Sequence, residues 1–177
     1  MKKKYVILSL LFMAVTALAF NSSMVVKAPN TQLEDGDYFI VNVATNDALT
    51  PVDVGINSNT YLKDFKKSGL QKWTLKKRIL KGKNGEQIYF TIQNTASGFY
   101  LKPYHIPSNG NAIISEKDGM CSYSIEADGE HYIIKNNKMG GDAMYVKDGG
   151  ALTDTPWFAA DESTDKFRWE FISTTVN

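Results

Sequence analysis

Few residues in this chain are of types that do covalent chemistry, and their spacing limits what they can do. Cys121 is the only thiol, and His105 and His131 are the only imidazoles. A cysteine nucleophile needs an imidazole-type partner to take its proton. Cys121 stands two residues before Tyr123, on the same side of a strand as that aromatic, and reads as a buried, inert thiol. His131 abuts the strand aromatic Tyr132 and His105 follows Pro103 in a loop, so both are expected at surface or turn positions. The acid pairs Asp35/Asp37 and Asp161/Glu162 have the chemistry of general acids and bases, but they lie beside Gly or in a Thr- and Ser-rich stretch, where solvated turns are the ordinary use of Asp. A metal would need more ligands than the chain groups together. The basic run Lys76-Lys77-Arg78, with Lys81 and Lys83, is the one charge cluster; without interleaved aromatic platforms it reads as a solvated hairpin, not a nucleic-acid interface. The expectation is a protein that is not an enzyme, has no metal or cofactor, and binds no nucleic acid.

What these residues sit on is set by a repeat. Tyr38-Phe-Ile-Val-Asn42, Phe90-Thr-Ile-Gln-Asn94 and Tyr132-Ile-Ile-Lys-Asn136 share one pattern of aromatic, Ile and Asn. Their apolar residues alternate with period 2 and end on Asn, as a half-buried strand entering a turn does. A second echo follows in Trp73-Thr-Leu75, Tyr123-Ser-Ile125 and Trp169-Glu-Phe171, which lie 31, 29 and 33 residues past their Asn. The repeats start 52 and then 42 residues apart, so the first is lengthened by one linker, which carries the basic run. Between the landmarks, Leu49 and Leu101 each fall seven residues past their Asn, with Pro51 and Pro103 two residues on. In the third copy Gly140-Gly141 and Asp142 are expected to push the matching strand three residues on, to Tyr145-Val146-Lys147. A further short strand is expected at Thr60-Tyr-Leu62, at Ala112-Ile-Ile114, and at either Ala151-Leu152 or Trp157-Phe158. Three units of about four strands, with no helical periodicity between them, predict an all-β, closed or nearly closed barrel whose copies share one core.

The domain plan is simple. Lys2-Lys-Lys4, an apolar run to Leu18 and the small-residue site Ala17-Leu-Ala19 read residues 1–19 as a secretory signal peptide. Export is expected, to a secreted, extracellular location. Residues 20–32 read as a flexible arm and 33–177 as a single domain, with repeats about 36–80, 86–127 and 130–173. The chain left after removal carries a formal charge of −2, and a monomer with no membrane partner is expected. With a lone Cys there are no disulfides, so stability rests on the shared core.

Gln71-Lys-Trp73, with Tyr123 and Trp169 at the matching places, resembles the Gln-x-Trp signature of ricin B-like β-trefoils over Leu33 to Ser173. That resemblance implies a β-trefoil of about twelve strands: six close a barrel, six form capping hairpins, and three units obey a pseudo-threefold axis. It also implies sugar sites in which an Asp directly after the second-strand apolar residue works with a stacking aromatic and an amide near the Gln-x-Trp. Here that position holds Thr50, Lys102 and Lys147, and Leu70 precedes Gln71. Lysine only donates hydrogen bonds, and Thr cannot bridge two hydroxyls as a carboxylate does. Shifted sites would draw on Asp53, Asp148, Tyr104 and Trp157.

The chain equally resembles the fungal protease inhibitors of the trefoil type through Tyr38-Phe-Ile40, Gln71-Lys-Trp73 and Trp169-Glu-Phe171. This second resemblance implies a rigid loop offered to a protease cleft. The loop over residues 51–59 is the best candidate, with Pro51, Asp53, Ile56, Asn57 and Asn59 as contact residues, and the loops over 103–111 and 148–158 are rivals that could serve equally well. The favoured expectation is a secreted, loop-presenting inhibitor, of serine proteases first; the alternative is a ricin B-like carbohydrate-binding lectin with degenerate or shifted sugar sites. The partner is accordingly an extracellular protease or a glycan.

Overall fold

The alternating strands predicted above close into a ring in the computed structural model, which describes residues 33–82, 85–103, 110–115, 122–137, 141–146, 156–159 and 164–175. The signal peptide and arm assigned to residues 1–32 lie outside the described residues. The strands of the first unit are β1 (Gly36–Asn42), β2 (Asp47–Pro51), β3 (Thr60–Asp64) and β4 (Lys72–Gly82). Those of the second are β5 (Gly85–Asn94), β6 (Tyr100–Pro103), β7 (Gly110–Ser115) and β8 (Tyr123–Asp128). The third has β9 (His131–Asn136), β10 (Ala143–Val146), β11 (Pro156–Ala159) and β12 (Arg168–Ser173). All pairing is antiparallel. The first and fourth strands of each unit form a closed cycle, β1–β4–β5–β8–β9–β12 and back to β1. The second and third strands pair as hairpins β2–β3, β6–β7 and β10–β11, and β7 also pairs with β11. This is the six-stranded barrel with three hairpins that the resemblance implies. Of the two alternatives for the last hairpin strand, the structure takes Trp157-Phe158.

Inward residues of every unit meet in one core, with Ile40, Leu49, Trp73, Ile92, Leu101, Tyr123, Ile134, Met144 and Trp169 fully buried. Each such side chain contributes roughly 1.5–3 kcal/mol by leaving water. The three repeated aromatics also tie barrel to cap. Trp73 Nε1 donates to the Leu49 carbonyl at 2.9 Å, Tyr123 Oη to Leu101 at 2.8 Å, and Trp169 Nε1 to Met144 at 2.9 Å. A buried indole or phenol needs such a partner, which is why the Trp and Tyr of the repeat interchange.

The repeated Asn residues make the next tie. Asn42 Nδ2 donates to the Lys166 carbonyl at 2.9 Å, and Asn94 Nδ2 donates to that of Leu70 at 2.8 Å. After each Asn the chain turns back, with the amides of Asn46, Gly98 and Gly141 donating to the carbonyls of Asn42, Asn94 and Asn136. All three turn residues have positive φ, at 59°, 72° and 90°. The third turn closes five residues past its Asn instead of four. That one extra residue makes Met144 the counterpart of Leu49 and Leu101, and so Tyr145, not Lys147, the counterpart of Thr50 and Lys102. The expected three-residue displacement is corrected to one: the turn closed by Gly141, at φ 90°, takes up a single added residue.

The lengthened linker of the first repeat is the β4–β5 hairpin. Six of its cross-strand pairs, from Trp73 with Asn94 to Arg78 with Tyr89, match the six of β8–β9, and four more carry it onward to Gly82 with Gly85.

Candidate functional site

Among the described residues a cleft of about 440 Å³ opens in the first unit, between the β2–β3 hairpin and the 3-10 turn Gly69–Gln71. Asp47, Thr50, Lys63, Asp64, Lys66 and Leu70 give it its chemical character. The hairpin register places Leu49 opposite Leu62 and Asp47 opposite Asp64. Period 2 then puts the two aspartates on the face of their leucines, at the outer end of the pair. Like charges directly opposite are unfavourable in a sheet, and one of them is offset by Lys66 Nζ, 3.4 Å from Asp64 in a solvated pair.

The cleft wall is held by Gln71, which is buried. Its Oε1 accepts the backbone N–H of Lys66 at 2.9 Å and of Ser68 at 3.3 Å, and its Nε2 donates to the Asp64 carbonyl at 2.8 Å and to Thr50 Oγ1 at 3.3 Å. The amide of the Gln-x-Trp is thus consumed in shaping the loop over residues 64–71. Thr50 is also buried and donates its hydroxyl to Ala48 O at 2.7 Å. The polar groups at the rim are the Asp47 and Asp64 carboxylates with Lys63 and Lys66, and the apolar wall is Leu62 and Leu70.

The equivalent place in the third unit is built differently. Phe167 stands where Gln71 does and Tyr145 where Thr50 does, and their rings stack at 4.8 Å with planes 13° apart. Ile133 and Ala143 pack beneath them, so the space that is a cleft in the first unit is taken up by aromatic rings. In the second unit Lys102 lies on β6 opposite Ile113.

The loop over 51–59 is well tied down. Pro51 is buried and pairs with Thr60, and the Val52 amide donates to Asn59 O at 2.9 Å. Asp53 Oδ1 accepts the Gly55 amide at 2.6 Å, and Ser58 Oγ accepts the Asp53 amide at 3.1 Å, an Asx-type turn. A Cβ on Gly55 would come within 2.8 Å of that carboxylate oxygen. Asn57, at φ 60°, donates its amide to Ile114 O on β7, Ile114 donates back to Ser58 O, and Asn59 bridges to Ile113. Ile56, Asn57 and Asn59 face solvent together with Val52 and Val54.

The remaining sequence candidates are dispersed. Trp157 lies on β11, between Tyr145 of β10 and Asn111 of β7. Tyr104, Asp148, His105, Cys121, Lys147 and the pair Asp161/Glu162 lie outside the described residues. His131 Nε2 is 3.7 Å from Glu170 on the barrel wall. Asp35 accepts the Lys77 amide at 2.6 Å, while Asp37 accepts the Thr74 hydroxyl at 2.6 Å and pairs with Lys72 at 3.0 Å. Those last two contacts, the hydroxyl first, hold the Asp37 carboxyl below its ordinary range. This acid pair straps the start of β1 to β4. No group of three or more metal-ligating side chains occurs among the described residues.

Sequence reasoning missed Asp47, Lys63 and Asp64. The signal for the aspartates was present: Asp47 precedes Leu49 by two residues and Asp64 follows Leu62 by two, so pairing the leucines in an antiparallel hairpin pairs the aspartates.

No protein-family model matches the chain, and no curated protein is found similar to it. Solved structures do match. The Rhizoctonia solani agglutinin is 22% identical, with a TM-score of 0.66 over 81% of this chain and 98% of its own. A Macrolepiota procera ricin B-like lectin, solved with lactose, is 18% identical, with a TM-score of 0.62 over 81% and 99%. ThreeFoil, a designed threefold-symmetric protein, is 17% identical, with a TM-score of 0.65 over 78% and 99%. At these identities the likeness is one of fold: the chain has the β-trefoil architecture of ricin B-like lectins.

Proposed function

We propose that this β-trefoil is a non-catalytic carbohydrate-binding protein, and that the cleft of the first unit is its sugar site. The observation that carries the reading is the pairing of Asp47 with Asp64 across the β2–β3 hairpin at the rim of an open cleft. Ionised carboxylates accept from pairs of hydroxyls, and hydrogen bonds to charged groups are about twice as strong as neutral ones. Lys63 supplies a donor and Leu70 an apolar surface for the C–H face of a sugar ring. The site differs from the one the ricin-type resemblance implies, since its carboxylates lie at the outer end of the hairpin and not next to Leu49. The lectins among the structural neighbours support the class of ligand. In the third unit the stacked rings of Phe167 and Tyr145 fill the equivalent space, so that unit adds no second site of this kind and no avidity from it.

The test is a glycan array followed by titration of the best ligand against Asp47→Asn and Asp64→Asn. Each substitution removes a charge-assisted hydrogen bond, about 1.5–3 kcal/mol, so each is expected to weaken binding roughly 10- to 150-fold without lowering the thermal midpoint. Unchanged binding in both variants would sink the assignment of the cleft.

Export and inhibition of a protease remain a second reading, favoured by one observation. The loop over 51–59 presents Val52, Val54 and Ile56 to solvent while its backbone is fastened to β7, the preorganised state in which a loop loses little entropy on docking. Stoichiometric inhibition of a serine protease, lost on Ile56→Asp, would select this reading; equal behaviour of the variant and the parent would remove the loop from it.

A further inference from the structure

The four extra pairs at the end of the β4–β5 hairpin have no counterpart in the other units and bury nothing in the core. They carry Ile79 and Leu80, 53% and 57% exposed, and Ile88, also exposed. Ile79 and Ile88 are cross-strand partners on one face of the ribbon, while Leu80 and its partner Gln87 lie on the other. Lys76, Lys77, Arg78 and Lys81 flank these aliphatics; Glu86 lies 3.2 Å from Lys81, and Asp35 accepts the Lys77 amide at the base of the arm. Trp73 bonds to the cap, and β4 runs from there toward Gly82, so the tip lies at the barrel end away from the capping hairpins and from the Asp47–Asp64 cleft.

Charge sharpens the contrast. Residues 76–91 hold five Lys or Arg against one Glu, whereas the remainder of 33–177 holds eleven against eighteen Asp and Glu. An anionic surface therefore attracts the arm and repels the body, which orients the protein arm-first.

We infer that the tip of the β4–β5 arm docks peripherally on an anionic lipid bilayer, with Ile79, Leu80 and Ile88 entering the headgroup–acyl boundary and the lysines remaining at headgroup level. The choice of occupant follows from the geometry. A folded protein partner covers one face of a ribbon, but the aliphatics here occupy both faces of its end, and a fluid apolar phase surrounds both at once. Basic side chains rimming exposed aliphatics are the composition that interfacial binding requires, because the long stems snorkel while the charges stay wet. A second copy of the chain is disfavoured, since it would set one basic arm against another. The inference departs from the expectation of a solvated hairpin with no membrane partner, and it is independent of what the cleft binds.

The experiment is co-sedimentation of the full chain with phosphatidylcholine vesicles lacking or containing phosphatidylglycerol, for the parent, Lys76→Gln/Lys77→Gln and Ile79→Ser/Leu80→Ser. A companion Leu80→Trp chain is read against the parent for quenching by brominated lipid, the parent supplying the background of Trp73, Trp157 and Trp169. Each basic residue near such a surface strengthens partitioning about fivefold, so the double Gln variant is expected to bind phosphatidylglycerol vesicles roughly 25-fold more weakly. The Ser variant is expected to lose binding that persists in high salt, and Trp at position 80 to be quenched only with phosphatidylglycerol present. Absence of quenching at position 80 overturns the proposal even if the chain sediments, because another segment would then be responsible. Equal partitioning of all variants overturns it as well, as does salt-sensitive binding to heparin or an oligonucleotide without binding to vesicles.

Discussion

Replacing Gln71 by Leu tests whether the Gln-x-Trp amide of this chain is a scaffold or a ligand contact. Gln71 is buried and makes two short bonds, from the Lys66 amide at 2.9 Å and to the Asp64 carbonyl at 2.8 Å, with longer ones to Ser68 and Thr50. Leu has similar bulk and no polar atoms, so the two short bonds are left with unpaired backbone partners. An unsatisfied buried group costs about 1–3 kcal/mol. Lys66 and Ser68 are exposed residues whose amides water can partly reach, which places the expected loss at about 2–4 kcal/mol. In a domain of this size that is a fall of roughly 5–15 °C in the thermal midpoint. Urea denaturation followed by tryptophan fluorescence measures it, since Trp73 adjoins the site. The loop over 64–71 forms the cleft wall, so glycan binding should fall along with stability, whereas Asp64→Asn should lower binding alone. A stability loss below about 0.5 kcal/mol would refute the reasoning, for it would mean that the loop amides are served by solvent and that Gln71 is not what shapes the cleft.

Two further outcomes follow from single positions. Gly98→Ala should cost about 1–2 kcal/mol, seen as a lower urea midpoint with an unchanged slope; no atom lies within 4 Å of the added Cβ, so the whole effect comes from φ 72°. Asp37 is stabilised as a carboxylate by Thr74 and Lys72, so its folded pKa lies below the ordinary 3.8. Its contribution is present above that value and is lost as the pH falls through the lower, folded one. Asp37→Asn should therefore lower stability at neutral pH and flatten its decline below 3.8, as read from urea midpoints along a pH series.

The fold was legible because period-2 strands repeat their landmarks. Aromatic, Ile and Asn recur at a spacing that only a shared core explains, and the Trp/Tyr interchange is tolerated because the same backbone carbonyl receives either N–H or O–H. The third unit resisted reading because a Gly-rich turn does not fix where the next strand starts, and only the turn geometry after Asn136 shows that a single residue is added there. The candidate contacts Asp53 and Asn57 were visible as polar loop residues, but that Asp53 spends its carboxylate on Gly55 depends on the turn itself. The linker showed its basic run in the sequence; that it is a hairpin carrying aliphatics on both faces of its end required the strand register.

By itself, then, the sequence determined the three-unit all-β barrel, the identity of its core aromatics and the absence of disulfides, since these depend on residue type and period along the chain. Tertiary structure decided which unit keeps an open cleft. Gln71 and Phe167 occupy equivalent places, yet one spends its amide on the loop over 64–71 and on Thr50 while the other stacks on Tyr145 and fills the same space. That difference depends on which side chain the 3-10 turn sets against the hairpin, a relation between residues more than twenty positions apart that period and composition along the chain do not express.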